Sequence, residues 1–232
     1  MKVIAIIPCL NEERFISEVV TKAVKYADKV IVVDDGSDDN TASAAEAAGA
    51  EVIRHEIRQG AGAATRTGCI QALQAGADII VTLDGDGQHD ANEIPILVKP
   101  IREGKADLVI GSRFLFTANV PQYRKFGIDV ITGLYNFLRK DKITDAQSGF
   151  RAFNRKALQA IDITYSGFEF SIQTLVQARK NHMKITEAPI SCIYHDAGST
   201  QDPITHGLSV AWSVVKIRIN EKFFKKGKSP GR

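Results

Sequence analysis

Residues Ile79–Asp90 read IIVTLDGDGQHD, an apolar run that ends abruptly in carboxylates. The apolar side chains of residues 79–83 predict a buried strand. Asp84, Asp86 and Asp90 follow, and the glycines at 85 and 87 permit a tight turn and the close approach of a ligand. Two carboxylates at i, i+2 repel each other unless a cation lies between them, and Mg²⁺ or Mn²⁺ in such a place usually bridges to substrate phosphates. The stretch therefore predicts a metal–phosphate site at the carboxyl end of a strand, with a solvated Asp/Gly turn as the alternative.

The sequence around this stretch alternates between strand and helix patterns. Buried-strand patterns occupy residues 3–7, 29–33, 52–57 and 107–111, with helical patterns between them. The resulting order β-α-β-α-β-α-β-α-β predicts an α/β fold with a doubly wound, mainly parallel sheet, which binds ligands at the carboxyl ends of its strands. Three of the predicted strand ends carry polar pairs: Asp34/Asp35, Asp84/Asp86 and Ser112/Arg113.

The second half of the sequence is less regular. Residues 123–139 predict an amphipathic helix with the apolar stripe Phe126, Val130, Ile131, Leu134, Phe137 and Leu138. Residues 168–181 predict another helix, and residues 185–194 predict a strand that Pro189 places at a sheet edge. Residues 204–224 predict a last amphipathic helix, which is followed by a basic tail.

Composition and charge narrow the class of protein. The chain has 232 residues, of which 44% are hydrophobic and 25% charged, as in ordinary globular proteins. Its net charge is +3, but seven Lys and Arg against one Glu lie between Lys216 and Arg232, so the rest of the chain is net negative. This distribution disfavours a nucleic-acid binder and points to an anionic partner for the tail. No apolar run is long enough to span a membrane, and the N-terminus does not match a signal peptide. Three widely spaced cysteines favour free thiols in a reducing cytoplasm.

A glycine-rich stretch, Gln59–Arg66, opens a predicted helix. It matches half of a dinucleotide-binding fingerprint, but Thr65 stands where the third glycine belongs, and that fingerprint should follow the first strand. We expect instead a helix N-terminus that approaches a phosphate or packs closely against a neighbour.

Five motifs in order carry a resemblance to a known family: PCLNEE, VVDDGSDDNT, the Gly60–Arg66 stretch, LDGDGQHD with GSR, and DAQSGFRAF. The chain resembles a GT-A glycosyltransferase of the inverting family 2, in the dolichyl-phosphate mannose/glucose synthase-like branch, over about residues 3–200. The resemblance implies a Rossmann-like nucleotide half, a nucleotide-diphospho-sugar donor with Mg²⁺ or Mn²⁺, and a polyprenyl (dolichyl-type) phosphate acceptor. It also implies residues 1–113 as the nucleotide-sugar half and residues 114–203 as the acceptor half of one domain, followed by the helix and tail of residues 204–232.

The resemblance also implies roles for individual residues. The residues expected to bind the nucleotide-sugar are Pro8, Leu10, Glu12, Val33, Asp35, Asp84, Gly85, Asp86 and Arg113. Asp86 and Gln88 would ligate the metal, and Arg113 and Arg124 would grip the acceptor phosphate. Asp145 and Glu169 fall on the sugar and acceptor side.

The role of Asp145 and the identity of the nucleotide base each have two alternatives. A phosphate acceptor is already ionised and needs positioning more than a base, so Asp145 is a candidate base or, alternatively, a turn or sugar-binding residue. Relatives that use GDP-mannose often carry an Arg and a Lys where this chain has His195 and Gln201, a difference that favours a UDP-sugar.

Several alternatives accompany this interpretation. The enzyme could act on a soluble saccharide or small molecule, and a non-catalytic nucleotide-sugar sensor would share the fold. A sugar-1-phosphate nucleotidyltransferase should have a glycine-rich loop after its first strand, which PCLNEE lacks. The C-terminal helix and tail would bind an anionic membrane surface, so we expect a peripheral protein at the cytoplasmic face, although most amphipathic helices pack inward.

Overall fold

The computed structural model describes residues 1–115, 122–137 and 139–193. For residues 122–124 it describes the backbone but not the side chains. The predicted C-terminal helix and basic tail lie outside these residues. The strands are β1 (Val3–Cys9), β2 (Lys29–Asp34), β3 (Glu51–Arg54), β4 (Ile79–Thr82), β5 (Leu108–Ser112), β6 (Arg151–Asn154) and β7 (Ile185–Pro189). The helices are α1 (Ile16–Ala23), α2 (Thr41–Ala47), α3 (Ala61–Gln74), α4 (Ile94–Arg102), α5 (Gln122–Asn136), α6 (Arg155–Gln159) and α7 (Phe170–Lys180).

Within the described residues, the strands form one sheet of seven in the order β3-β2-β1-β4-β6-β5-β7. All of them are parallel except β6, which pairs antiparallel with both β4 and β5. Apolar side chains fill a core on each face of the sheet, one under α1, α2 and α4 and the other under α3, α5 and α7. The predicted doubly wound, mainly parallel α/β fold is confirmed.

The antiparallel strand β6 determines where the second half of the chain meets the first. Arg151 pairs with Thr82 of β4 and with Ile110 of β5, so the start of β6 lies between the carboxyl ends of two parallel strands. The DAQSGF segment before β6 is thereby brought to the edge of the sheet where β4 delivers its acidic loop. The two predicted halves share a single sheet.

The predicted apolar stripe of α5 needs correction. Ile128, Ile131 and Tyr135 face the core, whereas Phe126 and Phe137 are 72% and 64% exposed. Ile131 and Leu134 of the predicted stripe do pack in or against the core, but so does Tyr135, and Ile128 is also buried; neither Tyr135 nor Ile128 was assigned to the stripe, so the buried face is rotated from the predicted one. Leu138 lies outside the described residues. The prediction of β7 as an edge strand is confirmed, and Pro189 is its last residue.

Candidate functional site

The loop after β4 is held against β1 and α1 by close backbone packing. A Cβ on Gly85 would lie 3.0 Å from the Cβ of Cys9. Gly87 has a φ of +72°, which L residues rarely adopt, and a Cβ there would lie 3.2 Å from the Phe15 ring. The two glycines therefore permit the turn that places Asp84 and Asp86 beside the end of β1.

Three carboxylates lie close together at this edge of the sheet. Burial, followed by the negative charges of Asp86 and Asp84, raises the pKa of Glu12 to about 7. Burial by the surrounding protein also raises the pKa of Asp84, against the opposing charges of Arg113 and Arg151, although 43% of its side chain is exposed. The cluster therefore carries negative charge that its protein neighbours only partly compensate.

Asp86 and Gln88 form a compact pair of oxygen-bearing side chains. The Gln88 backbone N–H donates to Asp86 Oδ1 over 2.9 Å, and the Gln88 side-chain amide donates to Oδ2 over 2.7 Å. Among the described residues, no three His, Cys, Asp or Glu side chains converge to hold a metal ion by themselves. A Mg²⁺ or Mn²⁺ ion commonly takes only one or two carboxylates and completes its shell with water and substrate phosphates. Asp86, Gln88 and the excess negative charge fit such an ion.

His89 is buried behind the acidic loop. Its ring packs on Phe150 with centroids 5.5 Å apart, and its Nδ1 lies 3.5 Å from Asp84 Oδ2 without making a hydrogen bond to the described residues. Burial lowers the pKa of His89 to about 4, so the ring is neutral at pH 7. The neighbouring main chain is also tight, because a Cβ on Gly149 would come within 2.6 Å of the Asp84 carboxylate.

Arg113, at the end of β5, is paired with Asp145 from the loop before β6. The Arg113 Nε and Nη2 atoms donate to the two carboxylate oxygens of Asp145 over 2.7 and 2.8 Å. Asp145 is fully buried, and the side chain of Arg113 is 12% exposed. The pKa of Asp145 is lowered because Arg113 outweighs the effect of burial. A carboxylate with a lowered pKa is a poor base, so the geometry favours a holding role for Asp145 over the predicted alternative of a general base.

Two residues that the sequence analysis did not single out support this pair. Glu187 of β7 accepts hydrogen bonds from the backbone N–H groups of Thr144 and Asp145. Arg151 is fully buried and donates to the carbonyl oxygens of Ala146, Ser148 and Ser171, which ties the DAQSGF loop to α7. Arg151 was within a quoted motif, but nothing local in the sequence indicated that Glu187 would reach this loop.

Asp35, at the end of β2, is almost completely buried. Its Oδ1 accepts from the Gln59 N–H and contacts His55 Nδ1 at 2.7 Å, and its Oδ2 accepts from the Gly60 N–H. His55 Nε2 in turn lies 3.0 Å from Thr67 Oγ1. Asp35 therefore fixes the loop between β3 and α3, and its expected role in binding the nucleotide-sugar stays a prediction.

The glycine-rich start of α3 packs against the segment before α7. The Gly62 N–H donates to the Ser166 carbonyl over 2.7 Å, and a Cβ on Gly62 would come 2.1 Å from the Tyr165 carbonyl oxygen. Close packing, one of the two predicted uses of this stretch, is therefore the one observed.

The remaining predicted site residues fall in three places. Pro8 and Val33 are register partners in β1 and β2, and Leu10 follows directly after β1. Glu169 immediately precedes α7. Arg124 belongs to the first turns of α5, but its side chain lies outside the described residues. Within the described ranges, no helix is both long and apolar enough to cross a membrane.

The sequence matches one family model and several known proteins. The family model described as glycosyl transferase family 2 matches residues 4–162. The chain is 34% identical over 212 residues to the UDP-N-acetylglucosamine–dolichyl-phosphate N-acetylglucosaminyltransferase of Methanococcus voltae, covering 82% of this chain and 84% of the relative. It is 32% identical over 245 residues to the undecaprenyl-phosphate mannosyltransferase of Micrococcus luteus, covering 94% of this chain and 99% of the relative.

Comparison with solved structures gives the same fold. Glucosyl-3-phosphoglycerate synthase from Mycobacterium tuberculosis, crystallised with Mn²⁺, UDP-glucose and phosphoglyceric acid, aligns with a TM-score of 0.75 at 22% identity. The alignment covers 94% of this chain and 79% of that chain.

Proposed function

This chain belongs to glycosyl transferase family 2, and from that membership we propose that it transfers a sugar from a UDP-sugar to a polyprenyl (dolichyl-type) phosphate with inversion at the anomeric carbon, in a metal-dependent reaction. The observation that carries the proposal is that negatively charged carboxylates and a positively charged arginine lie side by side at one edge of the sheet. A carboxylate cluster suited to a metal–diphosphate group lies beside Arg113, a cation suited to a second phosphate.

On the donor side, the chain's own residues would form the walls of the nucleotide site. Pro8 and Leu10, both half-buried, offer apolar surface at the end of β1, and Val33, the register partner of Pro8, is buried beside them in β2, next to the loop fixed by Asp35. Asp84 and Gly85 would border the ribose and diphosphate. A divalent cation held by Asp86 and Gln88 would neutralise the charge that develops on the departing nucleoside diphosphate. The UDP donor of the Methanococcus voltae relative supports uracil as the base.

On the acceptor side, Arg113 is the central residue. Because the acceptor phosphate is already ionised at pH 7, transfer requires that it be oriented toward the anomeric carbon more than that it lose a proton. Asp145 holds the guanidinium of Arg113 in one orientation, and Arg124 would provide a second cation. Glu169 would line the sugar from the start of α7.

The outward face of α5 favours a lipid over a soluble acceptor. Phe126, Val130 and Phe137 are exposed on this face, and Lys125, which pairs with the exposed Asp129, is exposed beside them. Exposed apolar residues beside a cation suit a membrane surface with anionic lipids. We further propose that the basic segment of residues 204–232 adds to this attraction, and that the enzyme acts at the cytoplasmic face of the membrane.

The experiment is a screen of UDP- and GDP-sugars with Mn²⁺ against a polyprenyl phosphate and, in parallel, against water-soluble phosphates and saccharides. The expected result is a lipid-linked sugar from a UDP-sugar, lost in EDTA and in Asp86→Asn. Product formed only with soluble acceptors would support the alternative transferase. Tight, metal-dependent nucleotide binding without any product would instead indicate a non-catalytic nucleotide-sugar binder.

A further inference from the structure

Glu187 lies on the edge strand β7 and reaches the loop that carries Asp145. It is the register partner of Ile110, two residues before the end of β5. Both of its carboxylate oxygens lie 2.9 Å from the Thr144 backbone nitrogen, and Oε1 also accepts from the Thr144 hydroxyl over 2.9 Å and from the Asp145 backbone nitrogen over 3.1 Å. One carboxylate therefore fixes two successive peptide groups and one side chain.

The loop held by Glu187 is the one that orients Arg113. Asp145 accepts two hydrogen bonds from the Arg113 side chain and a longer one, 3.3 Å, from the Arg113 backbone N–H. The Thr144 hydroxyl lies 2.6 Å from Ser112 Oγ, which gives a second link to the end of β5. Contacts thus run without interruption from Glu187 through the backbone of residues 144–145 to the guanidinium of Arg113.

We propose that Glu187 is a positioning residue for acceptor phosphate binding, an inference that rests on the proposed function. Glu187 does not contact the substrate. It fixes the peptide that carries Asp145, and Asp145 fixes the plane and direction of the Arg113 guanidinium. The bidentate contact of Asp145 with Arg113 fixes the orientation of the guanidinium, because both groups are planar and two pairs of atoms are hydrogen-bonded.

The alternative is that Glu187 serves only to close the β5–β7 edge of the sheet. The chain contains a matched control for that role at the opposite end of the same strand pair. Asp107 Oδ2 accepts from the Lys184 backbone N–H over 2.8 Å, and its Oδ1 accepts from the Asn154 side chain over 2.8 Å. Asp107 makes the same kind of contact as Glu187, far from the carboxylate cluster.

The first test measures the orientation of Arg113 without any substrate. The solvent exchange rate of the Arg113 Nε–H is followed by ¹H–¹⁵N NMR in the full chain, with Arg113→Lys used to assign the signal. We expect Glu187→Ala to speed exchange at least about tenfold, the equivalent of losing one hydrogen bond, Glu187→Gln to give an intermediate rate, and Asp107→Ala to leave the rate unchanged. An unchanged rate in both Glu187 variants, or an equal increase in Asp107→Ala, overturns the inference.

The second test distinguishes an effect on acceptor binding from an effect on donor binding. With a polyprenyl phosphate and Mn²⁺, Glu187→Gln should raise the acceptor KM about tenfold while the Kd for UDP stays within about twofold of wild type. A parallel loss of UDP affinity would indicate general unfolding and contradict positioning. If the wild-type chain makes no lipid-linked product but Arg113 exchange depends on Glu187, the acceptor assignment is wrong and the positioning link stands.

Discussion

Asp145 and Arg113, which lie 32 residues apart in the sequence, form an ion pair with two hydrogen bonds in which the carboxylate is fully buried. A buried pair of this kind is strongly destabilised when one partner is removed, because the other is left as an uncompensated charge. We expect Asp145→Ala to lower the free energy of unfolding by about 3 kcal/mol.

A double-mutant cycle measures this coupling directly. Arg113→Met removes the charge that Asp145→Ala leaves behind, so the double variant should be less destabilised than the sum of the two single variants. Urea unfolding of the four proteins gives the interaction free energy. Additive effects would mean that the pair does not hold the loop.

The buried imidazole of His89 predicts a loss of stability in mild acid. An unfolded His takes up a proton near pH 6.5, whereas the folded chain resists protonation until about pH 4. The unfolded state therefore binds more protons across this interval, and stability falls as the pH drops from 6.5 toward 4, by up to about 3 kcal/mol.

His89→Asn should remove this contribution. The variant loses the ring contact with Phe150 at every pH, but its unfolding free energy should decline less than that of wild type between pH 7 and pH 4.5. Urea unfolding at the two pH values provides the measurement. Equal declines in the two proteins would show that the imidazole does not titrate as its burial implies.

The raised pKa of Glu12 should make stability fall as the pH rises, which is the opposite of the trend expected from His89. The folded chain retains the Glu12 proton to about pH 7, whereas an unfolded Glu releases it near pH 4.5, so stability falls as the pH rises across this interval. Because Glu12 is partly exposed and therefore screened, we expect Glu12→Gln to be only about 1 kcal/mol more stable than wild type at pH 8, and to have nearly the same stability as wild type at pH 4. Thermal unfolding in EDTA at both pH values tests this, and a Gln variant that is less stable at pH 8 would contradict it.

Two glycines in helices provide a matched test of close packing. A Cβ on Gly62 would collide with the Tyr165 carbonyl oxygen at 2.1 Å, whereas a Cβ on Gly133 of α5 would meet no atom within 4 Å. Gly62→Ala should lower the free energy of unfolding by about 3 kcal/mol. Gly133→Ala should leave it unchanged or raise it by up to about 1 kcal/mol. Equal effects of the two substitutions on the melting temperature would contradict the packing of α3 on the segment before α7.

The parts of the structure that follow from local sequence were predictable. Apolar runs such as residues 79–83, with helical patterns between them, predicted the fold. Because Asp84, Asp86 and Arg113 follow the carboxyl ends of predicted strands, they were expected at the same edge of the sheet. The antiparallel insertion of β6 between β4 and β5 was not predictable, because four residues carry no information about which neighbours they will pair with.

Long-range contacts account for the other differences. The rotation of α5 depends on which residues the sheet accepts, and the apolar pattern of Phe126 to Phe137 allowed more than one buried face. The contacts of Glu187 and His55 could not be predicted from the sequence, because their partners, Asp145 and Asp35, are 42 and 20 residues away.

In the proposed reaction, Asp86 and Gln88 hold a divalent cation on the diphosphate of a bound UDP-sugar. Crystals grown with UDP and Mn²⁺ test it through anomalous scattering at the manganese edge. We predict one strong peak within about 2.2 Å of an Asp86 carboxylate oxygen and in contact with both the Gln88 side chain and the diphosphate. UDP bound with no anomalous peak beside Asp86, or a peak coordinated elsewhere on the chain, would show that Asp86 and Gln88 do not hold the metal.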